Sequence, residues 1–157
     1  MIILNILIFS DTHQNIDDPI EIIRSEPEVN AIIHAGDHES DAIKIHEKFP
    51  NIPIFYVPGN CDYLSSSPTD SEITFGGKKI FITHGHAYNV KYGLSQIMNK
   101  ASYGDYDLLV FGHTHKSLIE YFSGSIIVNP GSMKGYPKTY AKATIENNEI
   151  KVFIKEF

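Results

Sequence analysis

This 157-residue sequence predicts an α/β fold with two stacked sheets and helices outside them. Three observations lead there. The first sixty residues alternate apolar runs with helical patterns, strand, helix, strand, helix, strand, which is the order of a parallel sheet with crossover connections. About ten strand-like runs occur in all, too many for one small sheet. Helical patterns appear in both halves, so each sheet has its own cover.

In chain order, Ile2–Phe9 is apolar at nearly every position apart from Asn5, as in a strand buried on both faces. It ends at Ser10-Asp11-Thr12-His13. Residues 15–25 follow with Ile16, Ile20, Ile22 and Ile23 at helical spacing and Pro19 near the start. Val29–Ala35 is the second strand and ends at Gly36-Asp37. Ser40–Phe49 places Ile43, Ile45 and Phe49 on roughly one side of a helix, and Pro50 stops it. Ile52–Val57 is the third strand, ending at Pro58-Gly59-Asn60-Cys61-Asp62.

The second half reads differently. Leu64–Asp70, with three serines and a proline, is a loop. Glu72–Phe75, Gly76-Gly77 and Lys78–Thr83 form a hairpin whose second arm ends at His84-Gly85-His86. Val90–Ser102 carries Leu94, Ile97, Met98 and Ala101, a helical pattern. Asp107–Phe111 is a buried strand leading into Gly112-His113-Thr114-His115. Lys116–Phe122 and Ser125–Val128 pair around Ser123-Gly124 and end at Asn129-Pro130-Gly131-Ser132. Tyr140–Ile145 and Glu149–Phe157 make a last hairpin around Asn147-Asn148. Neither an internal repeat nor a linker is evident, so residues 1–157 are expected to form a single domain.

Composition narrows the function. The net charge is −6 and no Lys/Arg cluster stands out along the chain, so a nucleic-acid partner gains no support. The one cysteine, Cys61, cannot form an internal disulfide, which points to a cytoplasmic setting. The opening apolar run lacks a basic segment and a cleavage site and is too short to span a membrane, so it reads as a strand and not as a leader.

Polar residues of ligand type stand just beyond five of the strands: Asp11, His13, Asp37, Asn60, His84, His113 and His115. Ligands presented at the C-terminal ends of strands are where sites form in open α/β sheets. Two carboxylates, four imidazoles and an amide oxygen make a mixed N/O set without thiolate. Such a set suits two divalent ions, manganese or nickel foremost, with iron, cobalt or zinc as alternatives. Seven ligands are too many for one ion with an open position. Asp11-x-His13 puts both side chains on the same side of an extended segment, because strand side chains alternate. His113 and His115, in a turn, can diverge toward different ions. Two dications against two carboxylates leave about +2 locally, a match for phosphate. Ions about 3.5–4 Å apart can hold a bridging hydroxide for in-line attack on phosphorus.

Singly, each residue has a plainer reading. Asp11 could cap the following helix, and Asn60 after Pro-Gly is ordinary turn composition. His34 reads as a core histidine or one supporting a ligand, and His38 and His46 receive no role. The weight lies in five strand ends carrying the right ligand types together.

These same segments, Asp11-x-His13, Gly36-Asp37, Gly59-Asn60-x-Asp62, Thr83-His84-Gly85-His86 and Gly112-His113-Thr114-His115, resemble the five motifs of the calcineurin-like metallophosphoesterases. The short chain, Gly-Asn-Cys-Asp and Asn129-Pro-Gly-Ser132 are similar to that superfamily's small bacterial and archaeal phosphodiesterases. The resemblance implies a four-layer α/β/β/α sandwich of two mixed β-sheets flanked by helices. It implies that Asp11, His13, Asp37 and His115 hold one ion and that Asp37, Asn60, His84 and His113 hold the other, with Asp37 bridging. Asp37 and Asn60 thereby also enter the catalytic set. Many members have histidine where this chain has Cys61, and that histidine is thought to protonate the leaving group. A thiol mimics it poorly. Cys61 keeps its place in the catalytic set, but either another group serves as the acid, such as His86 or a metal-bound water, or the substrates have good leaving groups. Asp62 becomes a hydrogen-bond partner in its loop. The expected activity is phosphodiester hydrolysis of a small phosphate ester. The alternatives are a phosphomonoesterase, or a scaffold like the vacuolar sorting subunit that uses this fold to bind partners. No membrane partner is expected, and a homo-oligomer is left open.

Overall fold

The computed structural model describes residues 2–157; Met1, which opens the first apolar run, lies outside the described residues. In chain order the elements are β1 (Ile3–Phe9), α1 (Asp17–Ser25), β2 (Val29–His34), α2 (Glu39–Lys48), β3 (Ile54–Tyr56), β4 (Asp70–Phe75), β5 (Lys78–Thr83), α3 (Ser95–Gly104), β6 (Leu108–Val110), β7 (Leu118–Phe122), β8 (Ser125–Asn129), β9 (Thr139–Glu146) and β10 (Glu149–Glu156). They form two five-stranded sheets, ordered β10-β9-β1-β2-β3 and β4-β5-β6-β8-β7. Both are mixed. In the first, β1, β2 and β3 run parallel and β9 joins β1 antiparallel. In the second, β5, β6 and β8 run parallel, with β4 and β7 antiparallel at the edges.

Strand alternation sorts the apolar side chains into three layers. Ile6 and Ile8 of β1, Ile80 and Ile82 of β5, and Leu108 and Val110 of β6 meet between the sheets. Leu7 and Phe9 turn the other way, against Ile22 and Ile23 of α1 and Ile45 of α2. Phe81, Leu109 and Ile127 likewise face Ile97 and Ala101 of α3. Runs apolar on both faces are therefore strands covered on both faces, and the result is the four-layer α/β/β/α sandwich. Burying each such Ile or Leu contributes about 1.5–3 kcal/mol relative to exposure.

The hairpins follow their turn chemistry. Gly76-Gly77, Ser123-Gly124 and Asn147-Asn148 all have positive φ at both central residues. That is the backbone a tight two-residue turn needs to match strand twist.

Two local expectations are corrected. The helix expected over Val90–Ser102 begins only at Ser95. Residues 86–88 and 90–92 form short 3-10 turns, and Gly93, with φ 137°, stands between the second turn and α3. Ile43, expected on the packed side of α2, is 44% exposed, and the buried positions are Asp41, Ala42 and Ile45. The helix is turned so that a carboxylate, and not Ile43, faces the interior. Among the described residues no helix is long and apolar enough to cross a membrane.

Candidate metal centre

The parallel strands β1, β2, β3, β5 and β6 all deliver their following loops to one edge of the sandwich. Backbone bonds tie those loops together: Asp11 N–H donates to Gly36 O at 2.8 Å, His13 N–H to Asp37 O at 3.1 Å, and Gly112 N–H to His84 O at 3.0 Å. The approach is close. A Cβ on Gly59 would lie 2.0 Å from Asp37 Oδ1, and one on Gly112 would lie 2.0 Å from Ser10 Oγ. Only glycine fits either place.

The loops are also strained. Asp11, His13, Asp37, His113 and His115 have φ of 52°, 44°, 48°, 71° and 61°. Non-glycine residues in this region cost of order 1–3 kcal/mol each and cluster at functional sites. The expectation that alternation along an extended segment aligns Asp11 with His13 is therefore wrong; a left-handed turn brings them together. Nor does Asp11 cap α1, whose N-cap is Ile16 without a side-chain hydrogen bond.

All seven expected ligands converge. Asp11 Oδ1 lies 3.2 Å from His115 Nε2, 3.7 Å from His84 Nε2 and 3.8 Å from His13 Nε2. His13 Nε2 and His115 Nε2 are 3.3 Å apart. Asp37 Oδ2 lies 3.4 Å from His84 Nε2 and 3.9 Å from His13 Nε2. His84 Nε2 is in turn 3.0 Å from Asn60 Oδ1 and 3.2 Å from His113 Nδ1. His113 and His115 thus point to different neighbours, one toward His84 and the other toward Asp11 and His13.

Two features fit divalent cations. Asp11 uses Oδ2 to accept from Ser10 Oγ and His113 N–H, while its Oδ1 is buried without a hydrogen bond. An unsatisfied buried carboxylate oxygen is costly unless a cation meets it. His84 Nδ1 stands 2.7 Å from Ala35 O and so carries the ring proton of the neutral form, which leaves Nε2 a bare lone pair facing Asn60 Oδ1 and Asp37 Oδ2. A proton there would answer the same need. Burial opposes charge on His84, yet the bond to Asp37 and the Asp11 and Asp37 charges outweigh it and raise its pKa. Burial likewise works against ionised Asp37, but His84 and the Cys61 N–H, 2.9 Å from Oδ1, hold its carboxyl well below the usual range. Burial, with the His84 and Lys91 charges, lowers His113 to about 4, so it stays neutral and able to ligate. Burial is also the main cause that lowers His13, and Lys134 adds to it.

The catalytic candidates lie beside this cluster. Cys61 has its Sγ 3.8 Å from Asn60 Nδ2, and burial and Asp37 push its thiol up, so it stays protonated. His86 keeps Nδ1 buried without a partner, its ring 5.6 Å from that of His84; burial and the His84 charge lower its pKa. Asp62 accepts from Gly59 N–H at 2.7 Å and Glu39 N–H at 3.2 Å, holding its loop against the start of α2.

A buried support was only partly read from the sequence: His34 was expected as a core or ligand-supporting histidine, whereas Thr12 and Asp41 were missed. Thr12 Oγ1 donates to Asp41 Oδ2 at 2.5 Å and lies 2.9 Å from His34 Nε2, while Gly36 N–H donates to His34 Nδ1 at 3.1 Å. His34 must then donate from Nε2 as the neutral tautomer, and complete burial lowers its pKa to about 4. Asp41 Oδ2 also accepts from Gln14 N–H at 2.8 Å. The only sequence signal was that Asp41 shares a helix face with Ala42 and Ile45. On the other side, Asn129 Nδ2 donates to Gly112 O and Thr114 Oγ1, and Ser132 Oγ donates to Asp11 O.

The model of the calcineurin-like phosphoesterase superfamily domain matches residues 4–148. The chain belongs to this family. It is 33% identical over 156 residues to a probable metallophosphoesterase of Bacillus subtilis, covering 95% of this chain and 89% of that one. It is 31% identical over 152 residues to a phosphodiesterase of Methanocaldococcus jannaschii, covering 85% and 86%. Among solved structures, a predicted phosphoesterase from Streptococcus pneumoniae superposes with a TM-score of 0.81 at 25% identity, over 100% of this chain and 98% of the other. Vacuolar Protein Sorting 29 from Cryptosporidium parvum gives 0.76 at 17% identity over 100% and 99%, which is likeness of fold. Membership makes this a phosphoesterase-type hydrolase domain of a family that implies divalent metal, and the ligand-type cluster includes groups that could hold an ion.

Proposed function

We propose that this chain is a metal-dependent phosphodiesterase acting on small phosphate esters. The observation that carries the reading is the convergence of Asp11, His13, Asp37, Asn60, His84, His113 and His115 around an unpartnered buried carboxylate oxygen. In this reading Asp11, His13 and His115 hold one divalent ion, Asn60, His84 and His113 a second, and Asp37 serves both. The mixed N/O donors suit manganese or nickel. Two such ions, when bound, supply positive charge for phosphate oxygens and lower the pKa of water.

The chain's own groups do the rest. Cys61 N–H fixes Asp37 by holding Oδ1, so that Oδ2 faces the histidines. Asn60 offers Nδ2 to a substrate oxygen, since its partner there is only the distant thiol. Cys61, kept protonated, and neutral His86 can donate hydrogen bonds to the leaving oxygen, but neither is a strong acid at neutral pH. Esters with good leaving groups are therefore the better substrates. The free thiol suits a cytoplasmic setting.

The fold likeness to Vacuolar Protein Sorting 29 favours one second reading, a partner-binding scaffold. The test is hydrolysis of a chromogenic phosphodiester and its monoester by protein stripped of metal and reloaded with manganese, nickel, zinc or magnesium. Restored turnover with the diester preferred supports the reading. Preference for the monoester makes it a phosphomonoesterase. No turnover with two ions bound per chain favours the scaffold.

A further inference from the structure

A cleft of about 660 Å³ opens beside the ligand cluster. Its apolar wall is Val90, Leu94, Phe111 and Leu118, and Lys91 and Lys116 stand at its edge. Thr114, between His113 and His115, also lines it, so the cleft starts at the segment that carries those two histidines. The size is that of a pocket for a small organic group. Among the described residues neither lysine makes an ion pair, in a chain of net charge −6. A second cleft on the far side of the 113–118 segment shares Lys116 and adds Lys134. Three lysines from separate segments thus line these two clefts, a grouping the linear sequence does not show.

We infer that the apolar cleft receives one ester arm of the substrate, and that this arm is an aromatic group carrying its own anion. This rests on the phosphoesterase reading and adds the substrate class. The apolar wall accounts for the ring: a simple alkyl ester would leave it wet, and a sugar would leave its hydroxyls without partners there. Unpaired Lys91 and Lys116 account for the second anion, beyond the one the metal ligands address. Surface lysines act as flexible point charges, so the anion gains less than the ring does and its share is salt-sensitive.

The test is calorimetric binding of methylphosphonate, phenylphosphonate and 4-carboxyphenylphosphonate to manganese-loaded protein, with each also assayed as an inhibitor of chromogenic diester hydrolysis. The phenyl compound should bind about tenfold tighter than the methyl. The carboxylate should add about threefold more at low salt, an increment lost in the Lys91→Ala/Lys116→Ala double variant. Ser117→Trp, which fills the cleft from an exposed position, should abolish both gains and leave methylphosphonate binding unchanged. Equal affinity for all three compounds, or gains that persist in both variants, overturns the inference while leaving the hydrolase reading intact. Failure of all three to bind, with no diester hydrolysis, overturns both.

Discussion

The two sheets contribute unequal halves to one site. The first sheet supplies both carboxylates, Asp11 and Asp37, with Asn60 and His13. The second supplies no carboxylate, only the imidazoles of His84, His113 and His115. Their supports differ in the same way. The carboxylate side is backed by a buried polar chain, Asp41 to Thr12 to His34 to Gly36 N–H. The imidazole side is backed mainly by main-chain contacts and one amide, Asn129. Like charges held close repel and must be fixed by their surroundings; neutral ligands need only be aimed. The charged half is where the fold spends its buried polar groups.

The comparison can be broken most directly by removing one support from each side. Asp41→Ala leaves Thr12 Oγ1 and Gln14 N–H without their acceptor. Metal affinity should fall about 10–100-fold, as for other partners of metal ligands. Asn129→Ala, which leaves His84 bonded to Ala35 O, should cost less. Competition with a chelator measures both, and an equal or larger loss in Asn129→Ala would erase the distinction between the halves.

Much of this arrangement was legible in the sequence, for a physical reason. Ligands after strands stand out because buried parallel strands are apolar throughout, so Asp11, Asp37 and His84 mark where β1, β2 and β5 stop. The hairpins announced themselves through Gly-Gly, Ser-Gly and Asn-Asn. Asp41 did not, since a charged residue on a helix reads as solvated until the helix's rotation is known. The late start of α3 was hidden for a related reason: Leu94, Ile97 and Ala101 keep helical spacing whether or not the chain before Gly93 is helical. The left-handed backbone of Asp11 and His13 was invisible, because nothing local in those residue types demands it.

A smaller effect sharpens the division of labour at the boundary between the halves. Cys61 touches the carboxylate side through its N–H to Asp37, and its thiol is a poor proton donor. Cys61→His should keep metal binding and raise turnover of an alkyl phosphodiester about a hundredfold, the low end for a positioned acid or base. No gain would mean that His86, on the imidazole side, already serves.

The smallest effect concerns pH. His34 has a folded pKa of about 4, below its ordinary 6.5, because it is buried as a neutral group. Between those values the unfolded chain takes up a proton that the folded chain does not, so stability is full above about pH 6.5 and declines as pH falls toward 4. His34→Gln, compared by Tm at pH 7.5 and 5, should show a shallower fall than the unmodified chain, by a few degrees. Equal slopes would place the pH sensitivity in the imidazole half instead.

In the proposed site Asp37 serves both ions, so the proposal stands or falls on it. The decisive measurement is metal content by elemental analysis, alongside diester turnover, for the unmodified chain and Asp37→Asn after reloading with manganese. Two ions per chain should fall to one or none in Asp37→Asn, with turnover reduced on the order of 10³-fold or more. Two ions retained with turnover within a few-fold of the unmodified chain would contradict a site in which one carboxylate serves both ions.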